Sequence, residues 1–261
     1  MRFLERRTLI GLALAGMVGG PLLIAGYLSL GLFFAPPWPV AATTPVIPVI
    51  GDALWARADG GANTSLNPLH PLNMAQFIIC TAQAETEDDP ALQAAGHAEC
   101  RRRHVPAAGA VEYISEQHMR AAHLEQPGFR KGHAKFVTTV WLARSWTKAD
   151  LLATLVERGE YGMGYRGLEA AAQGYFGRPA AQLTLPQVAL VAALVGGVGP
   201  DPWCDPATAA ALRHRILERM RDNGAIDETA FASADSSALS LTAPPATHPA
   251  CPDDRTSLTR N

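Results

Sequence analysis

A run of 27 uncharged residues near the N-terminus, Thr8 to Phe34, is the feature that most limits how this chain folds. As a helix the run would be about 40 Å long, against roughly 30 Å for the hydrocarbon core of a bilayer. Three arginines precede it, and the next basic residue is Arg57. The positive-inside rule therefore predicts a cytoplasmic N-terminus at 1–7, a transmembrane helix over 8–34 and export of the residues that follow.

A cleaved signal peptide is the alternative interpretation of the same run. Its apolar region is usually about 7–15 residues long, which is much shorter than this one. The small residues Val40-Ala41-Ala42 leave a cleavage site open. The length of the run favours an anchor that stays in the membrane.

Composition excludes several classes of protein. Apolar residues make up 48% of the chain and charged residues 18%, which is enough for a folded core and excludes a wholly disordered chain. The net charge of −2 provides no overall basic field, so we predict no nucleic-acid partner.

All four cysteines lie beyond the apolar run, so export would place them in an oxidising space. Their number permits the bonds Cys80–Cys100 and Cys204–Cys251, but three pairings are possible and free buried thiols are an alternative. A zinc site that combines Cys100 with nearby histidines is a further alternative, against surface histidines beside a disulfide. We assign no metal ligand.

Helical patterns dominate the rest of the chain, and no long alternating strand pattern occurs. Prolines and glycines predict a linker over 35–73, followed by a folded domain over 74–232 and a flexible tail over 233–261. Residues 85–109 are polar and are predicted to be irregular. The exported part is thus predicted to be mainly α, with helices at 74–84, 111–124, 134–143, 148–158, 185–195 and 206–223.

The segment from Lys148 to Gly177 carries several unusual elements in order. A helix is followed by Tyr161-Gly162-Met163-Gly164, then by Gly167-Leu168-Glu169-Ala170-Ala171-Ala172-Gln173, and then by Tyr175-Phe176-Gly177. Over about 147–228 the chain resembles glycosyltransferase family 51, the peptidoglycan glycosyltransferases. The resemblance implies a lysozyme-like α domain that polymerises lipid II into glycan strands on the periplasmic side of the inner membrane. Its implied partners are lipid II, the glycan strand and other cell-wall synthesis proteins.

The family's reaction needs a general base, which removes a proton from the acceptor hydroxyl as that hydroxyl attacks the anomeric carbon of a lipid-pyrophosphate donor. In the family this base is the glutamate of a Glu-Asp pair that is followed by Phe and His. Thr86-Glu87-Asp88 matches the pair and makes Glu87 the candidate base, with Ala91 and Gln93 where Phe and His are expected. An alignment without gaps instead puts Ala82 there, and a solvated acidic loop is the alternative for Glu87.

The family's second motif contributes polar and basic residues that steady the departing pyrophosphate. Ile114-Ser115-Glu116-Gln117 followed by Arg120 resembles this motif, so Gln117 and Arg120 are candidate substrate-binding residues. Glu112 and Glu116 place negative charge where the pyrophosphate is expected, which is unfavourable.

The third motif of the family begins with an Arg-Lys pair, which Arg130 and Lys131 match, and both are candidates for binding the pyrophosphate. A second glutamate is expected shortly after the pair. It falls on Ala134 or Lys135 here, and neither residue can replace a carboxylate.

Two functions follow from these matches and departures. The first is an enzyme that polymerises lipid II, with Glu87 as the base. The second is a catalytically silent module that holds lipid II, glycan or another wall-synthesis protein. We predict no cofactor; members of the family are often helped by a divalent cation, but no ligand set for one can be assigned here.

Overall fold

The computed structural model describes residues 35–60 and 71–251, except 88, 125, 127 and 198, together with Gly26 and Ser29. The predicted cytoplasmic segment 1–7 and transmembrane helix 8–34 lie outside the described residues, apart from those last two positions. In the described ranges the regular structure is helical, with one isolated β-bridge between Glu160 and Arg166. No helix in these ranges has both the length and the apolar character that a membrane crossing requires.

The helices agree with the predicted α class. In chain order they are α1 (Pro48–Arg57), α2 (Pro71–Ala84), α3 (Pro90–His104), α4 (Ala108–Ala121), α5 (Phe129–Ser145), α6 (Lys148–Arg158), α7 (Leu168–Phe176), α8 (Leu185–Leu194), α9 (Pro206–Asp222) and α10 (Glu228–Asp235). A short 3-10 helix, Ala180–Gln182, lies between α7 and α8.

The chain divides into two compact units. The small unit consists of residues 35–39 and Ile114–Leu142, and thus contains most of α4 and α5. The large unit consists of Val40–Tyr113 and residues 143–251, and contains the remaining helices.

The core of the large unit forms around α8, whose residues from Gln187 to Leu194 are all buried. A helix that is apolar all round is stable only in an interior. Helices α1 and α9 pack against it, and α7 contacts it as well. At its start the Gln187 Oε1 atom accepts a hydrogen bond from the Thr184 N–H at 3.0 Å, as the capping pattern predicts.

Local side chains also set the starts of α6 and α9. The Asp150 N–H donates to Thr147 Oγ1 at 3.2 Å, and the Thr147 N–H donates to Asp150 Oδ2 at 2.8 Å. Asp205 Oδ1 accepts from the Thr208 N–H at 3.0 Å. These bonds satisfy N–H groups that a helix leaves unpaired in its first turn. Both helices therefore begin with local capping, at the predicted starts of 148 and 206.

The structure differs from the predicted linker at α1, which lies within 35–73. Leu54 and Trp55 of this helix are 1% and 3% exposed and pack in the large unit. Pro48 occupies the first turn, where its missing N–H costs nothing. Burying each large apolar side chain is worth about 1.5–3 kcal/mol, which outweighs the extended preference of the surrounding prolines.

Residues 85–109 also differ from the prediction, because α3 covers Pro90–His104. This helix packs against α2, and the disulfide Cys80–Cys100 joins the two. Closing a loop of this length adds about 3 kcal/mol of stability in the chain-entropy account. The cross-link and the neighbouring helix thus order a segment whose sequence is too polar to suggest a core element.

The predicted tail, 233–261, contains the end of α10 and a described stretch that reaches Cys251. The Thr242 N–H donates to the Tyr175 carbonyl, and Trp203 Nε1 donates to the Thr242 carbonyl, each at 2.8 Å. The disulfide Cys204–Cys251 joins the same stretch to the start of α9. The described part of the tail is therefore attached to the large unit, and residues 252–261 lie outside the described residues.

Candidate functional site

The turn between α6 and α7 is closed by backbone hydrogen bonds. The Gly167 N–H donates to the Gly159 carbonyl at 2.8 Å, and the Tyr161 N–H donates to the Tyr165 carbonyl at 2.9 Å. Gly167 has φ 80°, and a Cβ placed there would lie 2.8 Å from the Glu157 carbonyl oxygen. This position therefore requires glycine.

Two buried tyrosines stabilise the turn through hydrogen bonds from their hydroxyl groups. Tyr161 and Tyr175 are fully buried; the Tyr161 hydroxyl donates to the Leu155 carbonyl at 3.0 Å, and the Tyr175 hydroxyl donates to the Tyr161 carbonyl at 2.9 Å. Burial raises the pKa of each hydroxyl well above its ordinary value of 10.0. Both hydroxyls stay protonated and act as donors, so the segment that carries the family resemblance has a structural role.

Glu169, the carboxylate of the same segment, is also held by the fold. Its Oε2 accepts from the Ala180 N–H at 2.9 Å, and its Oε1 accepts from Gln173 Nε2 at 3.3 Å. The carboxylate thus fixes the connection from α7 to the 3-10 helix.

A cluster of charges lies on α4 and α5 in the small unit. Lys131 Nζ is 2.6 Å from Glu116 Oε1, Lys135 Nζ is 3.4 Å from Glu116 Oε2, and Arg120 Nε is 3.8 Å from Glu116 Oε1. These four residues form what we term the Glu116 cluster. One carboxylate, that of Glu116, thus faces three cations.

The Glu116 cluster keeps its carboxylate ionised. The hydrogen bond from Lys131 lowers the pKa of Glu116 below its ordinary value of 4.5, while partial burial opposes that change. The charges of Lys131 and Lys135 lower it further. At neutral pH an anionic ligand would therefore compete with Glu116 for the same cations.

The structure thus brings two of the predicted binding residues, Arg120 and Lys131, to one carboxylate. Gln117 follows Glu116 on α4; its Nε2 is buried and has no hydrogen-bond partner among the described residues. A buried donor without a partner is unfavourable and is suited to a ligand oxygen. Arg130 is exposed in the first turn of α5.

Lys135 is the member of the cluster that the sequence analysis did not assign to binding. Its spacing of four from Lys131 would have indicated it, because residues four apart share a helix face. Ala134, at a candidate position of the family's second glutamate, is fully buried. The structure therefore has no carboxylate at either residue where the family expects one.

Glu87, the predicted base, belongs to the large unit. It lies in the connection between α2 and α3, where its N–H donates to the Ala84 carbonyl at 3.3 Å. Its side chain is exposed and has no hydrogen bond or ion pair with the described residues. Its role as a base stays a prediction.

One group of metal-binding residue types occurs in the described ranges, formed by Asp201, Cys204 and His248. Cys204 is bonded to Cys251, and His248 Nε2 lies 2.7 Å from Asp201 Oδ2. Cys100 is likewise bonded to Cys80. Neither thiol is available as a ligand, and of the three pairings that the sequence left open the structure forms Cys80–Cys100 and Cys204–Cys251.

Comparison with known proteins finds similarity to one family over part of the chain. Residues 94–221 match the family described as Transglycosylase. A biosynthetic peptidoglycan transglycosylase from Ralstonia nicotianae is 39% identical over 107 residues, which cover 40% of this chain and 42% of the relative. One from Rhodospirillum centenum is 31% identical over 122 residues, which cover 45% of this chain and 52% of the relative. The chain thus spans about half of these relatives or less.

Among solved structures, penicillin-binding protein 1A from Haemophilus influenzae is 19% identical, with 53% of this chain and 17% of that chain covered and a TM-score of 0.34. A likeness at this level supports no conclusion. Within the family match lie Gln117, Arg120, Arg130 and Lys131, whereas Glu87 precedes it.

Proposed function

We propose that the chain is a member of the transglycosylase family, glycosyltransferase family 51, which residues 94–221 match, and that it polymerises lipid II into glycan strands. In addition to the family match, the proposal is supported by the Glu116 cluster. Polymerisation expels a lipid pyrophosphate, and the departing group needs cations beside it. Arg120 and Lys131 lie together beside one carboxylate, and Gln117 adds a buried donor.

In the proposed reaction the acceptor hydroxyl loses its proton to Glu87 and attacks the anomeric carbon of the donor. The bond from that carbon to the pyrophosphate oxygen breaks, and the pyrophosphate leaves with the bonding electrons. Arg120, Arg130 and Lys131 stabilise its charge. Lys131 exchanges its bond with Glu116 for a phosphate oxygen, which is a swap of one anionic partner for another.

The proposed place of the reaction is the outer face of the inner membrane. The apolar run at 8–34 would anchor the chain there, with the domain in the periplasm. Both disulfides accord with an oxidising space. Lipid II, the glycan strand and other wall-synthesis proteins are the proposed partners.

A second candidate function is a catalytically silent module that binds lipid II or glycan. Two observations favour it: Ala134 is buried where the family carries a glutamate, and Lys135 is engaged by Glu116. A module of this kind keeps the cations and the fold, but it has lost a carboxylate that the reaction uses.

One experiment separates the two functions. Purified full-length protein is given labelled lipid II, and the variants Glu87→Gln and Glu85→Gln are compared with it. Glu85 is exposed in the same connection, so it is the matched control. Polymer from the wild type and from Glu85→Gln, with a loss of about 10²–10⁴-fold in Glu87→Gln, supports the enzyme.

Saturable binding of lipid II without polymer supports the silent module. If the wild type neither polymerises nor binds lipid II, both candidate functions are wrong. If Glu87→Gln polymerises as fast as the wild type, the enzyme stands and Glu87 is not its base.

A further inference from the structure

A cavity of about 200 Å³ lies in the large unit where the end of α1 meets α8 and α9. Three arginines line it, Arg57 from α1 and Arg215 and Arg219 from α9. Leu212 and Ile216 provide apolar walls. We refer to these three arginines as the arginine pocket, which shares no residue with the Glu116 cluster.

Arg57 is the central cation of the pocket. Its side chain is partly buried, and its Nε donates one long hydrogen bond, 3.4 Å, to the Ala193 carbonyl. Among the described residues it forms no ion pair. Burial lowers its pKa, the nearby charges of Arg219 and Arg215 act in the same direction, and Asp59 opposes them. A partly buried cation next to like charges is unfavourable unless a counter-ion is present.

Asp59 is the carboxylate that faces this group, and it is already shared. Its Oδ1 is 2.8 Å from Arg219 Nη2, and its Oδ2 is 3.7 Å from Arg101 Nε. Arg219 also donates to the Ala56 carbonyl at 3.2 Å. One negative charge therefore serves several guanidinium groups and leaves the pocket positive.

Arg215 completes the pocket from the solvent side. It is exposed, lies four residues before Arg219 on α9, and has no hydrogen bond or ion pair with the described residues. Residues four apart share a helix face, so both side chains are directed to the same region. The stretch that follows the pocket's first helix, 61–70, contains no Asp or Glu that could neutralise it.

We infer that the arginine pocket binds a phosphate-class oxyanion, either free in solution or as a lipid headgroup. Guanidinium groups donate two parallel hydrogen bonds to phosphate oxygens, which suits a pocket built from arginines rather than lysines. Such an anion gives Arg57 the counter-charge that its burial demands. The inference does not depend on lipid II polymerisation.

The test measures the thermal unfolding midpoint of the full-length protein with sodium phosphate, pyrophosphate, acetate or chloride at equal ionic strength. Binding constants are then determined by calorimetry for the wild type, Arg57→Gln, Arg215→Gln and Arg221→Gln. Arg221 lies on the same helix and outside the pocket, so it is the matched control. Arg215 is exposed, so its replacement leaves the fold intact even if Arg57→Gln does not fold.

We expect phosphate or pyrophosphate to raise the unfolding midpoint more than chloride does. Arg57→Gln and Arg215→Gln should weaken the binding about tenfold or more, and Arg221→Gln should not. The inference would be overturned if phosphate and chloride raised the unfolding midpoint equally. It would also be overturned if both pocket variants bound phosphate as tightly as the wild type. If acetate raised the unfolding midpoint as much as phosphate does, phosphate would not be the class of ligand.

Co-sedimentation with vesicles distinguishes the two sources of phosphate. Vesicles of phosphatidylglycerol and phosphatidylcholine are compared with phosphatidylcholine alone, using the wild type and Arg215→Gln. Binding to the anionic vesicles that is lost in Arg215→Gln supports a headgroup. A soluble ligand is supported if Arg215→Gln weakens the binding of free phosphate and the protein binds both kinds of vesicle equally.

Discussion

The turn between α6 and α7 and the Glu116 cluster on α4 and α5 both lie within residues 94–221, which match the transglycosylase family, but they are stabilised in different ways. The turn is closed by backbone hydrogen bonds and by two fully buried tyrosines. The cluster is partly exposed and depends on three ion pairs to one carboxylate. The two regions are thus stabilised by different interactions, and a substitution in one can be compared with a substitution in the other.

The largest effect is expected when the turn loses Tyr175. Its ring packs 5.1 Å from both Tyr165 and Trp203, and it is fully buried. Tyr175→Ala should lower the free energy of unfolding by about 3–5 kcal/mol, as truncation of buried aromatic residues does. Urea denaturation measures this change in the free energy of unfolding. Tyr175→Phe removes only the hydroxyl and should cost about 1 kcal/mol, and a similar loss in both variants would show that packing does not stabilise the turn.

The second effect tests the backbone of the turn. Gly167→Ala places a Cβ against the Glu157 carbonyl at a φ that other residues rarely adopt, so the free energy of unfolding should fall by about 1–3 kcal/mol. Gly132→Ala in α5 is the control, since no atom lies within 4 Å of its added Cβ. That change should stabilise by about 0.5–1 kcal/mol. Equal effects of the two substitutions would contradict the requirement for glycine at 167.

The third effect concerns anion binding at the Glu116 cluster. Glu116→Gln removes the carboxylate that faces Lys131. Pyrophosphate should bind about tenfold more tightly, whereas Lys131→Gln should weaken it. Calorimetry in an Arg215→Gln background isolates this site from the arginine pocket. Weaker binding in Glu116→Gln would mean that the carboxylate positions the cations and does not compete with the ligand.

The smallest effect is a dependence of stability on pH. Because the pKa of Glu116 is lowered on folding, its ion pairs stabilise the folded chain above its ordinary pKa of 4.5. That contribution, about 1 kcal/mol or less for partly exposed pairs, is lost as the pH falls through the lowered pKa. Denaturation of wild type and Glu116→Gln from pH 7 to pH 3 should show curves that converge in acid. A constant difference would exclude the titration of Glu116 as its cause.

Local patterns predicted the helices best where the signals lie within one turn of chain. The starts of α6, α8 and α9 follow from Thr147, Thr184 and Asp205, whose side chains or neighbours bond to nearby backbone groups. Both disulfides agree with one of the three pairings that the sequence permits. Helices α1 and α3 lie in segments that were predicted to be linker and irregular chain, because α1 is stabilised by burial against distant helices and α3 by a cross-link to α2.

By itself, the sequence determined the resemblance to a family, the helical class and the position of the turn, since unusual residues in a fixed order carry that information along the chain. Only the tertiary structure decided that Glu116 is bound to Lys131 and Lys135, residues from another helix. It also decided that Arg57, Arg215 and Arg219 line one cavity. Charges interact across space, at distances that helix packing sets, so a one-dimensional pattern shows which charges exist but not which of them meet.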